Sequence, residues 1–285
     1  VPPSIASAEE DTLTDLLPLE LPFGPTAYGE TDPGRVREKN EDAFALLPHL
    51  GLFMVADGMG GAAAGEVASR MVIEQVERSV ADGETTWPMD SSISGPESGP
   101  RRLIAGIHRA NRKIHDLGTR DRRHIGMGTT FAGLLLLPRC AVIAHVGDSR
   151  VYRWRDGQLA PLTYDHSLAN ALIERGLLRP EDVPSFRRRN VITRAVGVQD
   201  SVEVDTRIVD IRPGDTFLLC TDGLHGEVSH EEIAAVLRSS GQPAEAVGRL
   251  VDLANEKGGP DNVTVVLVRL HDGAPQAQEP APTPA

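Results

Sequence analysis

Residues 52–65 read Leu52-Phe53-Met54-Val55-Ala56-Asp57-Gly58-Met59-Gly60-Gly61-Ala62-Ala63-Ala64-Gly65. An apolar run of strand length stops at an Asp, passes through a Gly-rich turn and opens a stretch in which Val67, Met71, Val72, Val76 and Val80 share one helical face. A dinucleotide-binding fingerprint has the same outline of strand, Gly-rich turn and helix. Here, however, Asp57 opens the turn, where a pyrophosphate needs backbone N–H groups and no negative charge. Position 63 is Ala where that fingerprint places Gly, and no strand ending in an acid follows at the expected distance. The glycines fit better as backbone that must come close to a metal, with the Gly58 carbonyl itself a candidate ligand.

The strand-to-Asp pattern recurs along the chain. Val142–Val146 leads to Gly147-Asp148-Ser149, Phe217–Thr221 leads to Asp222-Gly223, and Asp261-Asn262 stands just before Val263–Val266. A single Asp at a strand end is an ordinary turn residue. If these strand ends converge, several carboxylates share one cleft, and charges that close cannot all stay ionised without cations. Oxygen ligands without His or Cys point to hard ions, Mg²⁺ or Mn²⁺.

Strands are expected at 43–47, 51–56, 130–137, 141–147, 150–154, 216–220 and 263–269, and helices at 65–80, 102–117, 229–239 and 243–257. Ser229 and Glu232 have the spacing of a capping box. The polar break at 82–100 is expected to be a loop between two helices. Paired helices separated by runs of strands predict an α+β domain with an antiparallel or mixed sheet, not a βαβ alternation. Residues 1–25 and 271–285, rich in Pro and Ala, are expected to be disordered tails around one domain at 26–270.

Lys plus Arg number 29 and Asp plus Glu 41, giving a net charge of −12. That balance disfavours nucleic acid as a partner and suits a site that gathers carboxylates around cations. No apolar run reaches the ~18 residues of a membrane span, and the acidic N-terminal stretch has no signal-peptide pattern. A cytoplasmic monomer is the expectation. Cys140 and Cys220 make no disulfide framework. Val146 and Gly226 occupy the places where a tyrosine-phosphatase cysteine signature would put its Arg.

Taken in order, Arg37-x-x-Asn40-Glu41-Asp42, Ala56-Asp57-Gly58-Met59-Gly60-Gly61, Gly126-Met127-Gly128-Thr129-Thr130, Gly147-Asp148-Ser149-Arg150, Thr221-Asp222-Gly223 and Gly259-Pro260-Asp261-Asn262 resemble the PPM (type 2C) metal-dependent Ser/Thr protein phosphatases in their bacterial form. The resemblance spans roughly 28–270. It implies a central β-sandwich of two antiparallel sheets flanked by pairs of helices, with two Mn²⁺ or Mg²⁺ ions in a cleft at one end. Asp57 would bridge both ions. Asp222 and Asp261 would hold the first, and Glu41 (mainly through water) and the Gly58 carbonyl the second. Asp148 would share Asp222 around a weaker third ion. Arg37 would clamp the substrate phosphate, and a flap over about 163–198 would lie beside the cleft, contributing Asp165, His166, Arg187, Arg188 and Arg189. The implied reaction is hydrolysis of phosphoserine and phosphothreonine by direct attack of a hydroxide bridging the ions. Implied partners are phosphoproteins, including a cognate bacterial Ser/Thr kinase.

Two departures from the family pattern stand out. Met59 sits where some relatives carry a His able to protonate the leaving group. His225 and Gly226 stand where an acid or hydroxyl is usual after the Asp-Gly turn. A catalytically inactive phosphoprotein-binding module of the same fold is the competing reading. The sequence discriminates against it, because every carboxylate of the implied ligand set is present.

Overall fold

A computed structural model of the chain describes residues 23–60, 64–81 and 98–272. The strands are β1 (Phe23–Asp32), β2 (Asp42–Leu47), β3 (Leu52–Met59), β4 (Gly128–Thr129), β5 (Phe131–Leu136), β6 (Cys140–Val146), β7 (Arg150–Arg155), β8 (Gln158–Pro161), β9 (Asp205–Asp210), β10 (Thr216–Cys220) and β11 (Val263–Asp272). The α-helices are α1 (Ala64–Ala81), α2 (Ser98–Arg120), α3 (Leu168–Glu174), α4 (Asp222–His225), α5 (His230–Ser239) and α6 (Pro243–Glu256). One sheet runs β1-β11-β10-β7-β8 and the other β2-β3-β5-β6-β9, with β4 beside β3. All the pairings are antiparallel. The expected α+β sandwich is therefore present.

Alternation along each strand explains the layers. Phe53 and Val55 of β3 point inward with Leu134 and Ile143, meeting Phe217, Leu219, Val266 and Val268 of the facing sheet. Leu52, Met54 and Ala56 point outward against Val72 and Val76 of α1 and Ile107 and Ile114 of α2. On the other side Leu218, Cys220, Val265 and Leu267 pack on Val236 of α5 and Val247 and Leu250 of α6. Both faces of the central strands are buried, which is why they are continuous apolar runs. Burying each large side chain contributes about 1.5–3 kcal/mol before entropy is counted.

All the expected strands and helices are found, with ends shifted by a few residues. Ser229 and Glu232 form the capping box at the start of α5. Three differences concern boundaries. The 1–25 tail is too long, because β1 begins at Phe23 and pairs along its whole length with β11, Phe23 opposite Asp272. For the same reason the C-terminal tail does not start at 271. Ser98–Pro100 belong to α2 and not to the linker. The remainder of the linker, residues 1–22 and residues 273–285 lie outside the described residues. Among the described residues no helix is long and apolar enough to cross a membrane.

Candidate active site

The antiparallel registers bring the acidic strand ends to one end of the sandwich. Asp42, at the start of β2, lies opposite Asp57 near the end of β3. Asp148 follows β6, Asp222 follows β10, and Asp261 precedes β11, whose Val265 lies opposite Cys220. The half-buried Asp57 has its carboxyl held well above the usual carboxylate range, first by desolvation and then by the charges of Asp42, Asp222, Asp148 and Asp261. The expected carboxylates thus converge. Asp222 is raised by burial and by Asp261, with a hydrogen bond from Asp57 acting the other way. Its Oδ1 is buried and has no hydrogen-bond partner among the described residues.

Two close approaches shape the cluster. A Cβ on Gly65, at the start of α1, would stand 2.8 Å from the Gly58 carbonyl oxygen and 2.9 Å from the Glu41 carboxyl carbon. A bare glycine therefore lets the Gly58 carbonyl and the Glu41 side chain share one spot. Burial raises the Glu41 pKa, opposed by Arg37 and by the Gly65 N–H. Likewise, a side chain on Gly223 would run into the Asn262 backbone, so glycine lets the Asp222 turn sit against Asp261-Asn262. Asn262 pins the third segment: its Oδ1 accepts from the Glu41 N–H at 2.7 Å, and its Nδ2 donates to the Lys39 and Pro33 carbonyls.

Sequence reasoning left Asp42 without a role. Its Oδ2 accepts from the hydroxyls of Thr221 at 2.8 Å and Thr264 at 2.6 Å, while Oδ1 is buried without a partner among the described residues. Burial lifts its pKa to about 7 against those two hydrogen bonds. Asp148 is also lifted to about 7, by burial and then by Asp222. Arg37 stands at the edge of the cluster, half exposed, with Nη2 2.7 Å from Asp261 Oδ2.

The family model for protein phosphatase 2C matches residues 35–256. The chain belongs to the protein phosphatase 2C family. It is 37% identical over 241 residues to the serine/threonine phosphatase stp of Listeria welshimeri, covering 84% of this chain and 93% of that one. Among solved structures it resembles the serine/threonine phosphatase Stp1 of Staphylococcus aureus with a TM-score of 0.78 and 33% identity, over 88% of this chain and 96% of the other. It also resembles the catalytic domain of the serine/threonine protein phosphatase PstP in complex with two manganese ions, with a TM-score of 0.75 and 34% identity, over 88% and 100% of the two chains.

In this phosphatase the flap residues depart from expectation. Asp165 of the flap is held in a paired contact. Both its oxygens accept from Arg150, at 2.8 and 2.6 Å, because a half-buried guanidinium needs that partner. His166 is not a free acid either. It is buried and stacked on His145, its Nδ1 accepts from the Gly147 N–H, and its Nε2 lies 2.9 Å from Arg194 Nη1 and 3.4 Å from Asp205. Burial lowers its pKa to about 4. Arg187, Arg188 and Arg189 follow a short 3₁₀ turn at Pro180–Ser185 and are exposed, and among the described residues no ion pair joins them to the carboxylate cluster. Met59 lies in β3 opposite Gly128 and brings no proton donor to the cleft.

Proposed function

We propose that the carboxylate cluster holds two divalent cations, Mn²⁺ or Mg²⁺, and hydrolyses phosphoserine and phosphothreonine in proteins. The observation that supports this most is the convergence of four other acids, Asp42, Asp148, Asp222 and Asp261, on the half-buried Asp57 carboxyl. Such a group is tolerable in the folded protein as a neutral acid, or as an anion with cations beside it. The partnerless buried oxygens of Asp42 and Asp222, and the spot that Gly65 leaves between Glu41 and the Gly58 carbonyl, supply donors that hard cations accept.

Asp57 would bridge the pair, Asp222 and Asp261 would complete the first position, and Glu41 and the Gly58 carbonyl the second. Asp148 and Asp222 would hold a weaker third ion. When bound, such ions supply positive charge for the phosphoryl oxygens and make water acidic enough to attack at neutral pH. The chain's own residues do the rest. Arg37 would turn from Asp261 to the substrate and give a phosphate planar, paired hydrogen bonds while staying charged. Asp42, held by Thr221 and Thr264, ties the start of β2 to the facing sheet behind the bridging carboxylate. A thiolate plays no part, since burial pushes the Cys220 thiol up to about 12. With Met59 and His166 unable to serve, the leaving-group proton comes from water near Asp148.

We place the enzyme in the cytoplasm as a monomer that reverses Ser/Thr kinase phosphorylation, the kinase itself included among its substrates. Phosphate release from a phosphothreonine peptide, measured with Mn²⁺, Mg²⁺ or EDTA, tests the activity. Turnover that persists in EDTA, or no turnover with either ion, would contradict it.

A further inference from the structure

The His225 departure has a structural consequence. His225 stands three positions after Asp222 in α4, a spacing that puts two side chains on one face of a helical turn. The turn is anchored by fully buried Leu224 and closed by the Gly226 N–H, which donates to the Asp222 carbonyl at 2.7 Å. His225 Nε2 then reaches the Asp148 backbone carbonyl at 3.0 Å. A carbonyl only accepts, so Nε2 carries the proton.

Asp148 sits in a loop gripped elsewhere as well. His166 Nδ1 accepts from the Gly147 N–H at 3.0 Å, and the Ser149 hydroxyl lies 2.6 Å from that of Thr130. Thr130 in turn accepts from the Asp57 N–H at 2.9 Å. Among the described residues no side chain hydrogen-bonds to the Asp148 carboxylate. The loop is fixed through its backbone and Ser149, leaving the carboxylate for something else. The β7–β10 ladder holds Arg150 opposite Cys220, and His225 adds the side-chain grip that ties Asp148 itself to the segment carrying Asp222.

We propose that His225 is a positioning residue that sets the separation of the Asp148 and Asp222 carboxylates before any ion arrives, making the third-ion site preformed. This rests on the reading of those two acids as its ligands. The side chain has room to be changed: His225, Arg150, Tyr152, Thr163, Asp165 and His230 line a cavity of about 270 Å³, so altering the ring does not require the core to collapse.

The test compares the full chain with His225→Phe, which keeps a ring and removes the donor, and His225→Gln, which restores an N–H of similar reach. In metal-free protein, amide exchange over residues 147–150 should quicken about 10-fold in the Phe variant and return to within about threefold of wild type in the Gln variant. In a Mn²⁺ titration the weakest-bound ion should weaken by about 10-fold in the Phe variant, with the tighter ions unmoved. Unchanged exchange in the Phe variant, no recovery in the Gln variant, or equal weakening of every ion together with a general loss of protection would overturn the proposal. Asp148→Asn separates the two readings. If it removes no ion, the third-ion reading fails, and exchange at 147–150 alone decides whether His225 fixes the loop.

Discussion

Asp42, buried, and Asp57, half-buried, are direct cross-strand partners on β2 and β3. Only Asp42 has hydroxyl donors, from Thr221 and Thr264 of the opposite sheet. One acid of the pair is thereby fitted into the protein, and the other is left to whatever enters the cleft. The metal-free fold holds both at a cost.

That cost has a pH signature. Asp42 and Asp148, raised from 3.8 to about 7, favour the folded state while protonated, and their contribution is lost as pH rises through about 7. His166 and His225, lowered from 6.5 to about 4, work in the opposite sense, but only below about 6.5. In EDTA the melting temperature should therefore fall between pH 6.5 and 8, and saturating Mn²⁺ should remove the fall. Calorimetry across this range checks both arms, and Asp42→Asn should flatten the slope in EDTA.

Arg37→Ala should lower kcat/KM on a phosphopeptide by roughly 2–4 kcal/mol, the worth of a lost charge-assisted paired contact in the transition state. Its ion pair with Asp261 is half exposed, so Mn²⁺ affinity should change by no more than about 1 kcal/mol. Arg37→Lys should not restore the rate, because an ammonium cannot make the planar pair. Steady-state kinetics beside a Mn²⁺ titration separate the two effects.

Asp148→Ala should keep the fold and the tighter ions. It should lose more kcat on a phosphothreonine peptide, whose alkoxide leaves poorly, than on p-nitrophenyl phosphate, whose phenolate needs no proton. Equal losses on the two substrates in saturating Mn²⁺ would reduce Asp148 to a turn residue.

Gly65→Ala should destabilise the protein by about 1–3 kcal/mol through overpacking and weaken one ion more than the other. The new methyl would press on the Gly58 carbonyl and the Glu41 carboxyl, not on Asp222 or Asp261. Thermal melts and Mn²⁺ binding on the same sample measure both.

The acids Asp57, Asp148, Asp222 and Asp261 were legible because each bounds a buried apolar strand, so a local signal and the site coincide. Strands β1 and β9 were not. The first, Phe-Gly-Pro-Thr-Ala-Tyr-Gly-Glu-Thr-Asp, carries breakers that an edge strand tolerates, and the second, Asp-Thr-Arg-Ile-Val-Asp, is largely exposed. The partners of Asp42 lie 179 and 222 residues away, and no local spacing announces a contact at that range. Asp165 and His166 misled for the converse reason. A charged loop tripeptide looks the same whether it faces a substrate or, as here, pairs with Arg150 and stacks on His145.

The central claim is that Asp57 joins two cations into one site. Titrating Mn²⁺ into wild type and Asp57→Asn by calorimetry tests it most directly. Wild type should take up two tight ions per chain. The variant should lose both together, melt higher than wild type in EDTA because a repelling acid is gone, and turn over phosphopeptide roughly 10³-fold more slowly. A variant that still binds two ions with wild-type affinity, or loses one and leaves the other unchanged, would contradict it.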